Sequence, residues 1–124
     1  MRKSGLLNPA LAGAVARLGH TDTFVIGDCG LPIPHDVPVI DLTLTFGIPT
    51  FADTLAALLD EVVVEAATIA DSTPPEVRSL LPAVPLTEVS HDDLKRGVAR
   101  ASFVVRTGST TPFANVILRS GVPF

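Results

Sequence analysis

The chain of 124 residues has one cysteine, one methionine, no tryptophan and no tyrosine. A lone Cys29 cannot close an internal disulfide, so nothing marks an oxidising compartment and a reducing cytoplasm is the expected setting. Basic residues are also scarce: nine Lys and Arg against thirteen Asp and Glu leave a net charge of −4. With no basic cluster to neutralise a phosphate backbone, nucleic acid is not an expected partner. Long apolar runs are missing too, since "VVVEAATIA" is short and interrupted by Glu65, so no membrane span is expected. The start "MRKSGLLNPALAGAVA" imitates a secretory signal. Asn8-Pro9 breaks that stretch, however, and reads better as the cap and first position of a helix. There is no internal repeat, low-complexity tract or linker, and one domain over residues 1–124 is expected.

What is present is apolar. Such residues make up 47% of the chain and charged ones only 18%, which is greasy for a monomer of this size and points to subunit interfaces. Leu11, Val15 and Leu18 repeat at helical spacing after Pro9, predicting about three turns stopped by Gly19. "TFVIGD" reads as a buried strand, "GLPIPHDVP" as an extended loop whose prolines forbid helix, and "VIDLTL" as a further strand. Thr50 caps a helix carrying Phe51, Leu55 and Leu58 on one face. "EVVVEAATIA" is an internal strand, "STPPEVRSLLP" a short helix, "VPLTEVS" a strand and "SHDDLKRGVARA" a helix capped by Ser90. "SFVVRTG" and "NVILRSG" close the chain as two apolar strands. About six strands interleaved with four helices predict an α/β fold, a mixed sheet in a three-layer α/β/α domain.

Four places could carry chemistry: His20 with Asp22, Asp28 with Cys29, His91 with Lys95, and the loop around Asn115. Each also has an ordinary structural role. His20 follows a helix end, where an imidazolium gains from the carbonyl dipoles. Asp28 closes a strand before Gly30 and fits a turn acceptor, yet strand ends in α/β sheets are also where ligands bind. Cys29 reads as a buried filler rather than a nucleophile. His91 and Lys95, four apart, share a helix face that surface solvation alone would explain. "HTD" lacks the second cluster a metal site would need, so no metal is expected. Histidine remains the side chain suited to give and take protons near neutral pH.

Taken together, "LGHTDTFVIGDCGLPIP", "GIPTFADTL", "VEAATIA" and "TGSTTPFANVILRSGVPF" resemble the D-ribose pyranase family, relatives of L-fucose mutarotase. The likeness runs in order from about Leu7 to Phe124. It implies a cytoplasmic isomerase without a cofactor that interconverts the pyranose and furanose forms of D-ribose. It also implies a ring-shaped homo-oligomer, a decamer being one such form, acting in ribose uptake and breakdown. By position in the motifs, the proton-transferring histidine is His20 and the sugar-binding aspartate is Asp28. The second histidine falls on His91, and the sugar-contacting tripeptide on Phe113, Ala114 and Asn115. Phe113 stands where the family usually has tyrosine, which removes a hydroxyl contact and bears on sugar preference. The segment "ADSTPPEVRSLLPAVPLTEV" is shorter than is usual in the family.

These residues suit the reaction. Ring interconversion needs a base at the anomeric hydroxyl and an acid at the ring oxygen, with the roles reversed on closure, and neither redox change nor covalent intermediate. A strand over Thr23 to Gly27, however, would separate His20 from Asp28 by roughly 20 Å. Either the "GHTD" loop folds back or a neighbouring subunit completes the site, and the apolar excess favours the neighbour. Two other readings stand beside this one: a mutarotase for another sugar such as L-fucose, and a non-catalytic sugar-binding module.

Overall fold

Asn8 and Pro9 open the first helix as their chemistry directs. Asn8 Oδ1 accepts from the Leu11 amide at 3.0 Å, and Pro9 occupies a first-turn position where a missing amide costs nothing. In the computed structural model, which describes every residue from Met1 to Phe124, this helix, α1, spans Pro9–Ala16. It is about two turns long, shorter than the three expected from Leu18 and Gly19. The amides of Arg17 and Leu18 bond three residues back, to Ala14 and Val15, so the last turn tightens and the helix ends early. Gly19 therefore opens the next turn instead of closing the helix.

The remaining elements follow in order: β1 Thr23–Gly27, β2 Val39–Asp41, α2 Phe51–Leu59, β3 Val64–Ala70, α3 Pro75–Arg78, β4 Leu86–Val89, α4 His91–Val98, β5 Phe103–Arg106 and β6 Val116–Ser120. Thr50 and Ser90 cap α2 and α4 through side-chain bonds to the Asp53 and Asp93 amides, as their sequence positions predict. β2 is shorter than "VIDLTL" suggested. Beyond Asp41 the Leu42 amide still reaches Arg106, but Leu44 and Thr45 turn toward Ile48 and leave the sheet.

The sheet runs β2-β5-β1-β6-β3-β4. β6 lies antiparallel to both neighbours, β1 and β3, and every other pairing is parallel. One end of the sheet thus gathers the carboxyl ends of five strands and the amino end of β6. The opposite end gathers the starts of β1 and β3 and the finish of β6.

Side-chain alternation splits the core in two. Phe24, Ile26, Val105, Val116 and Leu118 face α1, α2 and α3 in a cluster of sixteen buried residues. Val25 and Val104 face the other way, with Leu31, Val37, Val98 and Ala101, in a cluster of only six. The second layer is therefore thin, made of α4 and the proline-rich loop. Leu44, Phe46 and Phe124 stay almost fully exposed. No helix is long and apolar enough to cross a membrane.

Candidate functional site

Asp28 emerges from β1 at the gathered carboxyl ends and is held on both carboxylate oxygens. The Gly30 amide donates to Oδ1 at 2.9 Å, the turn contact its sequence position suggested. Asn115 Nδ2 donates to Oδ2 at 3.0 Å, and Asn115 Oδ1 in return accepts from the Asp28 amide at 2.9 Å. This reciprocal pair joins residues far apart in sequence because β6 runs antiparallel beside β1. Gly27 makes room for it: a Cβ there would stand 3.1 Å from Asn115 Oδ1.

Asn115 is 1% exposed and Ala114 is fully buried. The side-chain amide of Asn115 is largely committed to Asp28 and fixes its carboxylate, while Ala114 packs into the larger core. Phe113 reaches outward from a left-handed backbone, φ 62°, that a bulky residue seldom adopts. Its ring meets His91 edge to face, with centroids 4.9 Å apart. His91 is the first residue of α4, just beyond β4, and its Nδ1 is buried without a hydrogen-bond partner. Lys95, four residues on, has its Nζ 4.0 Å from Asp92 Oδ1. The structure thus joins Asp28 to Asn115 and His91 to Phe113, with Ala114 linking the two contacts along the chain.

His20 is elsewhere. It occupies a turn from Gly19 to Asp22, in which the Asp22 amide donates to Gly19 O at 3.2 Å and the Gly19 amide to Asp22 Oδ2 at 2.8 Å. Thr21, at φ 70°, donates its amide to Ser120 O. β1 alone spans about 16 Å between this turn and Asp28. Nor does His20 cap α1: its Nε2 lies 3.0 Å from Glu65 Oε2, and Arg119 Nε holds the other oxygen of Glu65 at 2.8 Å. A carboxylate, not the helix carbonyls, is the charge partner of the imidazole. Glu65 and Arg119 were not singled out from the sequence. The available signal was a charge inside an otherwise apolar, β-branched strand.

A second carboxylate–arginine pair, Asp41 with Arg106 at 2.8 Å, lies at the Asp28 end of the sheet. Burial disfavours the charge on Asp41, but the Thr43 amide and the Arg106 guanidinium outweigh it and hold the carboxyl below its usual range. A cavity of about 310 Å³ opens on the α2 side of the tripeptide, lined by Thr50, Phe51, Ser109, Thr110, Thr111 and Ala114 among others. Asp28, His91 and Phe113 are not among its lining residues. No three His, Cys, Asp or Glu side chains converge closely enough to hold a metal ion.

Residues 1–123 match the model of the RbsD / FucU transport protein family. The chain belongs to this family. It is 59% identical to a D-ribose pyranase of Cutibacterium acnes and 56% identical to one of Corynebacterium glutamicum, with both chains fully covered in each case. Among solved structures, Bacillus subtilis RbsD complexed with D-ribose superposes with a TM-score of 0.93 at 42% identity over the whole of both chains. FucU from Bifidobacterium longum shares the fold, with a TM-score of 0.80 at 22% identity over 95% of this chain and 96% of that one.

Proposed function

We infer that this family member is a D-ribose pyranase, an isomerase that opens the sugar ring and recloses it between pyranose and furanose forms. The observation that carries this reading is 56–59% identity with D-ribose pyranases over the full length of the chain, which covers both ends of the sheet. His20 transfers the proton at the anomeric hydroxyl and ring oxygen, and Asp28, held by Asn115, accepts from sugar hydroxyls. His91 and the Phe113 ring flank the sugar, the ring against its apolar face. No redox step enters this chemistry, and no cofactor is assigned.

The two halves of the site lie at opposite ends of β1, so one sugar is served by His20 of one protomer and Asp28 of the next. Head-to-tail contact of this kind closes into a ring when the rotation between neighbours is a whole fraction of a turn. Exposed apolar side chains support assembly: Phe46 is 81% exposed, and the tail ends in a fully exposed Phe124 on the His20 side of the sheet. The cytoplasm is the assigned compartment, supported by the unpaired Cys29.

Saturation-transfer NMR of ribose tests the activity, with faster exchange between ring forms expected on adding protein. Binding alone would shift signals without speeding exchange and would sink the enzymatic reading. Because Phe113 offers no hydroxyl, L-fucose anomers belong in the same assay, and faster exchange there than with ribose would reassign the sugar. Co-assembly of His20→Ala with Asp28→Ala tests the shared site. Random mixing pairs intact halves at about one junction in four, so about a quarter of wild-type activity should return from two inactive variants. Mixed assemblies without activity would place the whole site in one chain.

A further inference from the structure

We propose that Glu65 is a positioning residue that fixes the tautomer of His20, making Nδ1 the atom that takes the proton from the sugar. This rests on the catalytic reading of His20 above and extends it to a residue that touches no substrate.

The local backbone is built to deliver this carboxylate. Strand alternation would put Glu65 on the same face as Ala67 and Ile69, inside the larger core. An unpaired charge there would be costly. The register with β6 slips at this point: Val64 pairs with Ser120 and Ala66 with Arg119, leaving Glu65 as the extra residue of a bulge. Bulges re-aim a side chain in this way. Gly121 leaves the required space, since a Cβ there would stand 3.2 Å from Glu65 Cβ and 3.6 Å from Oε2.

The carboxylate so released is held at both ends, by Arg119 on Oε1 and His20 on Oε2. Arg119 keeps Glu65 from rotating away. An ionised carboxylate only accepts hydrogen bonds, so the ring nitrogen facing it must carry a hydrogen. In neutral His20 that places the proton on Nε2 and the lone pair on Nδ1. The ring is 52% exposed, and Nδ1 makes no hydrogen bond within the protomer. Nδ1 is thus the base available to an anomeric hydroxyl brought by a neighbour, and Glu65 stabilises the imidazolium that forms. The same logic, a buried or fixed carboxylate orienting a catalytic imidazole, governs hydrolytic triads.

The test is a long-range proton–nitrogen NMR spectrum of uniformly ¹⁵N-labelled protein at alkaline pH, with His20 assigned from the His20→Ala spectrum. Wild type should show hydrogen on Nε2. Glu65→Gln keeps the shape but can donate as well as accept, so the tautomer preference should weaken. Its kcat for ribose ring exchange should fall on the order of tenfold or more while KM stays within about twofold. Hydrogen on Nδ1 in wild type would overturn the proposal, and this readout stands even if Glu65→Gln does not fold. An unchanged tautomer and kcat in a folded Glu65→Gln protein would also overturn it. If His20→Ala alone is inactive in that case, the catalytic reading survives and only the positioning role falls. Full activity of His20→Ala would remove both.

Discussion

The two ends of the sheet solve different problems with similar materials. At the Asp28 end, five strand ends converge and the key amide, Asn115, is almost wholly buried. Its bonds to Asp28 are reciprocal, and the acceptor oxygens are fixed before any ligand arrives. At the His20 end, the three ionisable groups His20, Glu65 and Arg119 sit at the surface, with side chains between 29% and 52% exposed. On the roles proposed above, recognising hydroxyls rewards rigid, partly desolvated acceptors, whereas a group that must gain and lose a proton works best where both of its states are tolerated. Each end also carries an arginine–carboxylate pair, Asp41–Arg106 and Glu65–Arg119, but only the second has a histidine against it.

The sharpest way to break this contrast is His20→Ala. The ring is half exposed and bonded only to Glu65, so fold and assembly should persist while ring exchange falls by about 10²- to 10⁴-fold. Saturation-transfer NMR and sedimentation read the two quantities, and a variant with undiminished exchange would dissolve the division of labour. Asn115→Ala at the other end should do the reverse and damage stability as well as ribose affinity. It strips a partner from the Asp28 amide and carboxylate, at a cost of about 1 to 3 kcal/mol in denaturant unfolding. A stable, tightly binding Asn115→Ala protein would mean that the carboxyl end is not preorganised by this pair.

The smallest effect belongs to Asp41→Asn, the arginine pair without a histidine. The folded-state pKa of Asp41 lies below its unfolded value, so its ionised form stabilises the fold above the unfolded pKa, and that contribution fades as pH falls through the folded one. The side chain is 48% exposed, and after solvent screening the difference should stay under about 1 kcal/mol. Thermal melts should show wild type slightly above Asp41→Asn at neutral pH and the two converging in strong acid. Ring exchange should be equal in both, in contrast to Glu65→Gln.

Most of the fold was legible in the sequence, because its signals were local. Asn8-Pro9, Thr50 and Ser90 announce helix starts through bonds made within a turn, and apolar alternation announces strands. Six strands and four helices appear in the predicted order. Boundaries set by non-local bonding were less visible: α1 stops short of Gly19, and β2 is cut when Leu44 turns to Ile48. In the candidate site, the Asp28–Asn115 contact depends on β6 lying antiparallel beside β1, which no local pattern encodes. The Glu65–His20 pair was hidden more deeply, since it needs both that topology and a one-residue slip between β3 and β6. The separation of His20 from Asp28, by contrast, follows from strand length alone.

β6 has a consequence for how such a chain can change over generations. Its five residues follow directly on the tripeptide that meets Asp28 and His91, and the fourth of them is Arg119, which clamps the carboxylate behind His20. One inserted or deleted residue in it would alter the spacing of the half-sites by about 3.3 Å and exchange its inward and outward faces. In a closed ring every junction would inherit the same error, and the misfit would accumulate around the circle. In the ring proposed above, the strand would act as a gauge block that sets the spacing of every junction. Alignments with curated relatives run from 124 to 131 positions against the 124 residues of this chain, so some of them carry gaps. The proposed ring requires any such gaps to fall in connecting segments and to leave the residue counts of β1 and β6 unchanged.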